Sequence, residues 1–118
     1  MKPKVLFTVD VEFSTHKDDM GVFGTIGGRS YGLPMFLEIV KEYGLLFTFF
    51  VDVYNVQEKY KPPFLRICET ILREGHELQL HTHPDIFDES RGYLALYTLE
   101  EQINIIAVSY THLTLPTN

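Results

Sequence analysis

Tryptophan is absent from the chain and cysteine occurs once, at Cys68. A single thiol excludes an internal disulfide and a cysteine-built metal finger. Basic residues are scarce: Lys and Arg number 10 against 16 Asp and Glu, a formal charge of -6. With no Lys/Arg cluster to offset that balance, the sequence argues against nucleic acid or an anionic membrane as partner. Long hydrophobic runs are also missing. The longest, Val5–Val9 and Leu45–Val51, fall far short of the ~20 residues of a membrane span. Asp10 interrupts the first of them, so the basic start does not read as a signal peptide, and a cytoplasmic location is expected. What remains is ordinary. A chain of 118 residues, 45% hydrophobic and 22% charged, has the size and composition of one globular domain, not of a disordered, collagen-like or low-complexity chain.

The end of the chain reads differently from the rest. Val108–Asn118, VSYTHLTLPTN, carries no charge, and its apolar residues lack helical spacing. Back-translated, it resembles read-through of a transposase sequencing adaptor. Residues 108–118 are therefore expected to be a non-native tail, with a break in the helical pattern after Ala107, and such segments are set aside in fold reasoning. Tyr110, His112 and the threonines of this tail receive no functional weight.

Within residues 1–107 the apolar pattern predicts alternating elements. Lys4–Val9 reads as a first strand, rich in β-formers and ending at a carboxylate. Glu12–Ser30 reads as a polar loop with Gly21, Gly24, Gly27 and Gly28. Their spacing fits neither a phosphate loop nor a dinucleotide fingerprint. Leu33, Phe36, Leu37 and Val40 predict a helix over Pro34–Tyr43, with Pro34 in its first turn and Gly44 as its cap. Leu45–Val51 is a continuous apolar run, as expected of a parallel strand buried on both faces. Phe47, Phe49 and Phe50 are accordingly expected in the core. Pro63–Arg73 predicts a second helix, with Cys68 on or near its apolar side, and Glu77–His81 a third strand. Asp85–Tyr97 reads as a loop. Thr98 with Glu101 three residues on is a capping box opening a further helix. Strands alternating with helices imply an α/β fold with parallel pairing. About three such strands with flanking helices suit half of a doubly wound sheet or the first part of a barrel.

Polar residues collect where two of these strands end. Asp10 and Glu12 follow the first strand; His81, His83 and Asp85 follow the third. In parallel α/β folds this edge is where sites form. Residues two apart on an extended backbone share a side, and Pro84 biases His83 towards the extended region. Two imidazoles and one or two carboxylates converging suit a divalent metal such as Zn²⁺. The isolated His16 and His76 lack such a pattern and are expected to be structural or exposed.

These residues resemble the polysaccharide deacetylase family, the metal-dependent N-deacetylases that share the NodB-homology domain. Thr8-Val9-Asp10-Val11-Glu12 is similar to the family's first motif, Thr-Phe-Asp-Asp. Thr48-Phe49-Phe50-Val51 is similar to its Ala-Thr-Phe-Phe-Val strand. Gly75-His76-Glu77-Leu78, leading to His81-Thr82, is similar to the approach to its second motif, His-Ser/Thr-x-x-His. The resemblance spans nearly all of Lys4–Asp85. It implies an irregular (β/α)7 barrel of which residues 1–107 form a truncated N-terminal part. It also implies metal-assisted removal of N-acetyl or related acyl groups from a carbohydrate such as chitooligosaccharide or peptidoglycan.

Two departures bear on the site. The family's second Asp, a metal ligand, falls on Val11, and Glu12 fits a variant with the acid one place later. The usual second His falls on Asp85, while His83 stands two places earlier. The implied metal set is Glu12 and His81 with His83 or Asp85 as the third ligand, His83 being preferred because imidazole is the commoner ligand. Asp10 is the implied general base. The family's later motifs, which carry the acid that protonates the leaving amine, find no match here, so the chain alone is expected to be inactive and poorly stable. Thr8–Glu12 taken alone also resembles the nucleophile loop of Mg²⁺-dependent phosphatases, which leaves the His pair unexplained. A His-x-His phosphoesterase or amidohydrolase would normally carry that motif on its first strand. A non-catalytic carbohydrate-binding barrel is the alternative outside enzymes.

Overall fold

The computed structural model describes residues 1–13, 20–54 and 56–114, with the backbone alone at Ile86 and 112–114. Three parallel strands form the central sheet: β1 (Thr8–Val11), β4 (Thr48–Asp52) and β5 (Glu77–His81). Their order is β1-β4-β5. α1 (Leu33–Glu42) connects β1 to β4, and α2 (Lys61–Arg73) connects β4 to β5. α3 (Leu99–Thr114) follows β5. The expected α/β class with parallel strands and flanking helices is observed.

Both crossover helices stop for the same reason. Gly44 and Gly75 take positive φ, 64° and 86°, a region that a side chain disfavours. Leu45 N–H then donates to Val40 O at 2.9 Å, and His76 N–H to Ile71 O at 3.1 Å. These are the six-to-one bonds of the Schellman motif, and they turn the chain towards the next strand, which starts at Thr48 after α1 and at Glu77 after α2. That geometry corrects two expected boundaries. Leu45 belongs to the end of α1, so the strand starts at Thr48 and leaves Leu45 and Leu46 exposed. β1 can pair only where its neighbour is extended, so Thr8 meets Thr48 and the ladder ends with Val11 on Val51. It therefore occupies Thr8–Val11 and not Lys4–Val9, and Val5 and Leu6 lie exposed.

Register sorts side chains into two faces. Val9, Phe49 and Leu78 form one row, and Val11, Val51 and Leu80 the next. Val9, Val11, Phe49, Val51 and Leu78 of this face pack with Leu37 and Val40 of α1 and with Phe64, Cys68 and Ile71 of α2 into one core. Phe49, Val51 and Ile71 are fully buried in it. The opposite face carries Thr8, Asp10, Phe50, Asp52, Gln79 and His81. Phe50 is only half-buried there, although Asp52 on the same face is fully buried, so the reading of Phe50 as a core residue is corrected: the apolar core lies against the other face.

The Gly-rich segment holds more structure than its composition suggests. β2 (Thr25–Ile26) and β3 (Arg29–Ser30) pair antiparallel. Gly27 and Gly28, both at positive φ, form the two-residue turn that suits a tight hairpin. Phe13, Val22 and Phe23 are buried. Phe13 meets the Phe64 ring edge-on at 5.3 Å and stacks on Tyr60 at 5.7 Å. At Gly32 a Cβ would overlap the Val22 carbonyl, so the hairpin returns to α1 with no room for a side chain.

α3 opens on the expected capping box. Thr98 N–H donates to Glu101 Oε2 at 2.7 Å, and Glu101 N–H donates to Thr98 Oγ1 at 3.3 Å. The expected break after Ala107 does not occur, because the helix continues to Thr114. Ser109 and Thr111 bond back to the carbonyls of Ile105 and Ala107 at 2.9 and 2.8 Å. Such back-bonds satisfy the hydroxyls within the helix but do not themselves stabilise it. Ser109 is fully buried, with its Oγ 2.9 Å from Thr82 Oγ1.

Cys68 lies buried on the core side of α2, and burial pushes its thiol up to about 12. A thiol held protonated and out of solvent is a poor nucleophile. A disulfide reagent is therefore expected to modify Cys68 only after denaturation. Rapid modification of the native chain would show that α2 does not pack on the sheet as described.

Candidate metal centre

The ends of β1 and β5 bring together three of the residues singled out by sequence. Glu12 follows the last residue of β1, and His81 is the last residue of β5. Asp52 is the ladder partner of His81 at the end of the central strand. His83 sits two residues beyond His81 with φ -113° and ψ 114°, the extended backbone expected before a proline. The pleat turns His81 and His83 to the same side.

The resulting geometry is tight. His81 Nε2 lies 2.8 Å from Glu12 Oε1, and His83 Nε2 lies 3.2 Å from Glu12 Oε2. The two Nε2 atoms are 3.0 Å apart. Two bare nitrogen lone pairs at that distance repel, and two N–H groups collide, so the arrangement calls for one shared proton or for a cation between them. Tetrahedral ligands at 2.0–2.1 Å from a zinc ion stand about 3.3 Å apart, close to all three separations. Glu12, His81 and His83 thus form a group that can hold a metal ion. Side-chain exposures of 41% for Glu12 and 23% for His81 leave the group open to solvent on one side. A closed structural metal site would shield its ligands more completely.

The two remaining candidates stand outside this group, one behind each ring. Asp10 Oδ1 is 3.9 Å from His81 Nδ1, and Asp85 Oδ1 is 3.9 Å from His83 Nδ1. Each imidazole therefore turns Nε2 inward and Nδ1 towards its own aspartate. Of the two choices for the third ligand, His83 is the one that joins Glu12 and His81. Asp10 remains 60% exposed. His76 is placed elsewhere, buried with its Nδ1 accepting from Phe47 N–H at 3.2 Å, a structural role as expected. His16 lies outside the described residues.

Sequence reasoning missed two supports of this site. Asp52 is fully buried beside His81, and its Oδ1 accepts Tyr54 N–H at 3.2 Å. The sequence signal was a carboxylate closing an apolar run, the same feature that marked Asp10. The second support is the strap after His83. Tyr97 is buried and its hydroxyl donates to Pro84 O at 2.6 Å. Arg91 lies over the Tyr97 ring at 4.0 Å, reaches Asp88 Oδ2 at 2.9 Å and contacts both Glu101 oxygens at 3.1 Å. Asp85–Tyr97, expected to be a loop, is thus tied at both ends; it opens within one single helical turn, Pro84–Ile86, and holds a second, Leu94–Leu96.

An α/β domain with a carboxylate and two imidazoles converging at the C-terminal edge of its parallel sheet is the class that these observations define. No family model, curated protein or solved structure matches the chain.

The strap gives a pH test. Hydrogen bonds from the Ser90 hydroxyl and N–H, and then from Arg91, hold the Asp88 carboxyl below its ordinary value of 3.8. The Thr98 N–H, followed by Arg91, holds Glu101 below 4.5. A carboxylate whose folded pKa is depressed adds stability above its unfolded value and loses it as pH falls through the folded value. The Thr98 amide is thus expected to stay protected from exchange through the ordinary carboxylate range and to open only below it. Arg91→Ala should move that opening to higher pH. An opening at the ordinary values in the unmodified chain, followed by amide NMR, would show that the strap does not form.

Proposed function

We propose that this chain is part of a metal-dependent hydrolase that removes N-acetyl or related acyl groups from a carbohydrate such as chitooligosaccharide or peptidoglycan. The observation that carries the reading is the Glu12–His81–His83 group, its polar atoms 2.8–3.2 Å apart, at the C-terminal edge of a parallel sheet. The resemblance of the first and second motifs to the polysaccharide deacetylases supports it, and with it the reading of β1, β4 and β5 as the opening strands of a (β/α)7 barrel. The donor set, two nitrogens and a carboxylate, suits Zn²⁺.

Bound there, a divalent ion supplies Lewis-acid polarisation of the acyl carbonyl and lowers the pKa of a water. Glu12, His81 and His83 would hold the ion. Asp10, exposed two residues before Glu12, would accept a proton from the attacking water as general base. The resemblance assigns the proton donor for the leaving amine to later motifs, and no residue of this chain is given that role.

Residues 1–118 are expected to bind one Zn²⁺ in equilibrium dialysis. His81→Ala and Glu12→Gln should abolish binding, while Asp10→Asn should keep most of it. Full occupancy in His81→Ala would overturn the ligand assignment. The chain alone should release no acetate from acetylated chitooligosaccharide. A chimaera joining residues 1–107 to the later motifs of a family deacetylase should do so in a Zn²⁺-dependent way, with Asp10→Asn lowering the rate about 10²–10⁴-fold. Metal loss in Asp10→Asn equal to that in His81→Ala would make Asp10 a ligand and not the base.

A further inference from the structure

Two aromatic rings meet at the same edge of the sheet as the candidate metal centre. Tyr54 stands two residues beyond Asp52, where β4 ends, and its N–H donates to Asp52 Oδ1 at 3.2 Å. Phe87 closes the single helical turn Pro84–Ile86, its N–H donating to the Pro84 carbonyl at 3.0 Å. The ring centroids are 4.8 Å apart and the planes 33° from parallel. Neither residue belongs to the apolar core, where Phe13, Phe23, Phe49 and Phe64 lie. Tyr54 is half-buried, and Phe87 keeps 36% of its surface exposed.

Both rings are tied to the centre through their neighbours in the chain. Asp52 is the ladder partner of His81. Asp85, in the same turn as Phe87, lies 3.9 Å from His83 Nδ1. The buried Tyr97 hydroxyl holds that turn by donating to Pro84 O at 2.6 Å. Rings placed in advance by the backbone lose little freedom when a ligand arrives. The charge beside the centre is negative: Asp10 and Asp85 expose 60% and 46% of their side chains. Arg91, the base of the strap, is engaged by Asp88 and Glu101. A ligand that suits this edge offers a flat apolar face to the rings, hydrogen-bonding groups at its rim and no negative charge. A pyranose ring meets the first two demands, because its axial C–H groups make an apolar face and its hydroxyl and acetamide groups project from the rim.

We propose that Tyr54 and Phe87 form a stacking platform for a pyranose ring of a neutral, N-acetylated oligosaccharide. The inference rests on the hydrolase reading given above and narrows its substrate to chitooligosaccharide, against a glycan bearing carboxylates such as peptidoglycan. Stacking on the rings needs no metal, so the platform and the metal centre can be tested apart.

The experiment titrates residues 1–118 with chitotetraose and, separately, with tetragalacturonate, and follows ring and amide signals by NMR. Chitotetraose is expected to shift the Tyr54 and Phe87 ring signals, and tetragalacturonate to bind more weakly. Tyr54→Leu and Phe87→Leu keep apolar bulk and remove a flat ring. Each should weaken chitotetraose binding about 2–10-fold, the range of a ring-stacking contact, while Zn²⁺ binding in equilibrium dialysis stays as in the native chain. Phe87→Tyr should retain native affinity for the sugar. Native ring signals that do not move up to the solubility limit of chitotetraose would overturn the platform, and so would undiminished affinity in both Leu variants. Loss of Zn²⁺ together with sugar in a Leu variant would mark that ring as structural and overturn its assignment. Tetragalacturonate binding as tightly as chitotetraose would overturn the neutral substrate. Ring shifts in a native chain that binds no Zn²⁺ would sink the metal-dependent hydrolase reading and leave the platform standing.

Discussion

The ladder that sets Val11 against Val51 and Asp52 against His81 is the constraint from which the candidate centre follows. In a parallel sheet the side-chain period is two, so a slip of one residue in either pairing turns every side chain to the other face. The slip would move Phe49 and Val51 out of the core and carry His81 away from Glu12. Burial of the apolar rows against α1 and α2 therefore fixes the polar row as well. The two glycine-terminated helices enforce the register, because each returns the chain at a set point, at Leu45 and at His76.

The polar face has its own physical logic. Glu12 bridges two imidazoles whose Nε2 atoms stand 3.0 Å apart. Neither ring can approach the other so closely without a proton or a cation to mediate. The carboxylate supplies negative charge for either, and its two oxygens are divided between the rings. The group is open to solvent on one side, and Asp10 stands exposed beside it.

The support for His83 arrives from a distance in sequence. Arg91 joins Asp88 to Glu101, and Glu101 in turn caps α3 through Thr98. Tyr97, beneath the guanidinium, reaches back to Pro84. The residue after His83 is thus tied to the start of a helix more than ten positions later. Exposed ion pairs of this kind add little stability one at a time. Sharing Arg91 between two carboxylates and an aromatic face gives the strap a defined shape, and that shape fixes where Asp85 can sit.

Elements governed by local chemistry were legible in the sequence. β5 was placed at Glu77–His81, α1 and α2 to within two residues at either end, and the Thr98–Glu101 cap was read directly, because apolar spacing and capping residues act over a single turn. Glu12, His81 and His83 were also legible, since residues two apart at a strand end share a side wherever that strand lies. What the sequence could not fix depends on partners. β1 moved from Lys4–Val9 to Thr8–Val11 because its length is set by the strand beside it. Phe50 left the core because α1 and α2 pack on the face that carries Phe49 and Val51. Asp52 became part of the site through its pairing with His81. His83 and not Asp85 joined the group that can hold a metal only when the turn after Pro84 put one nitrogen of His83 on Glu12 and the other beside Asp85. Composition and spacing name the groups that can meet; register and turn geometry decide which atoms do.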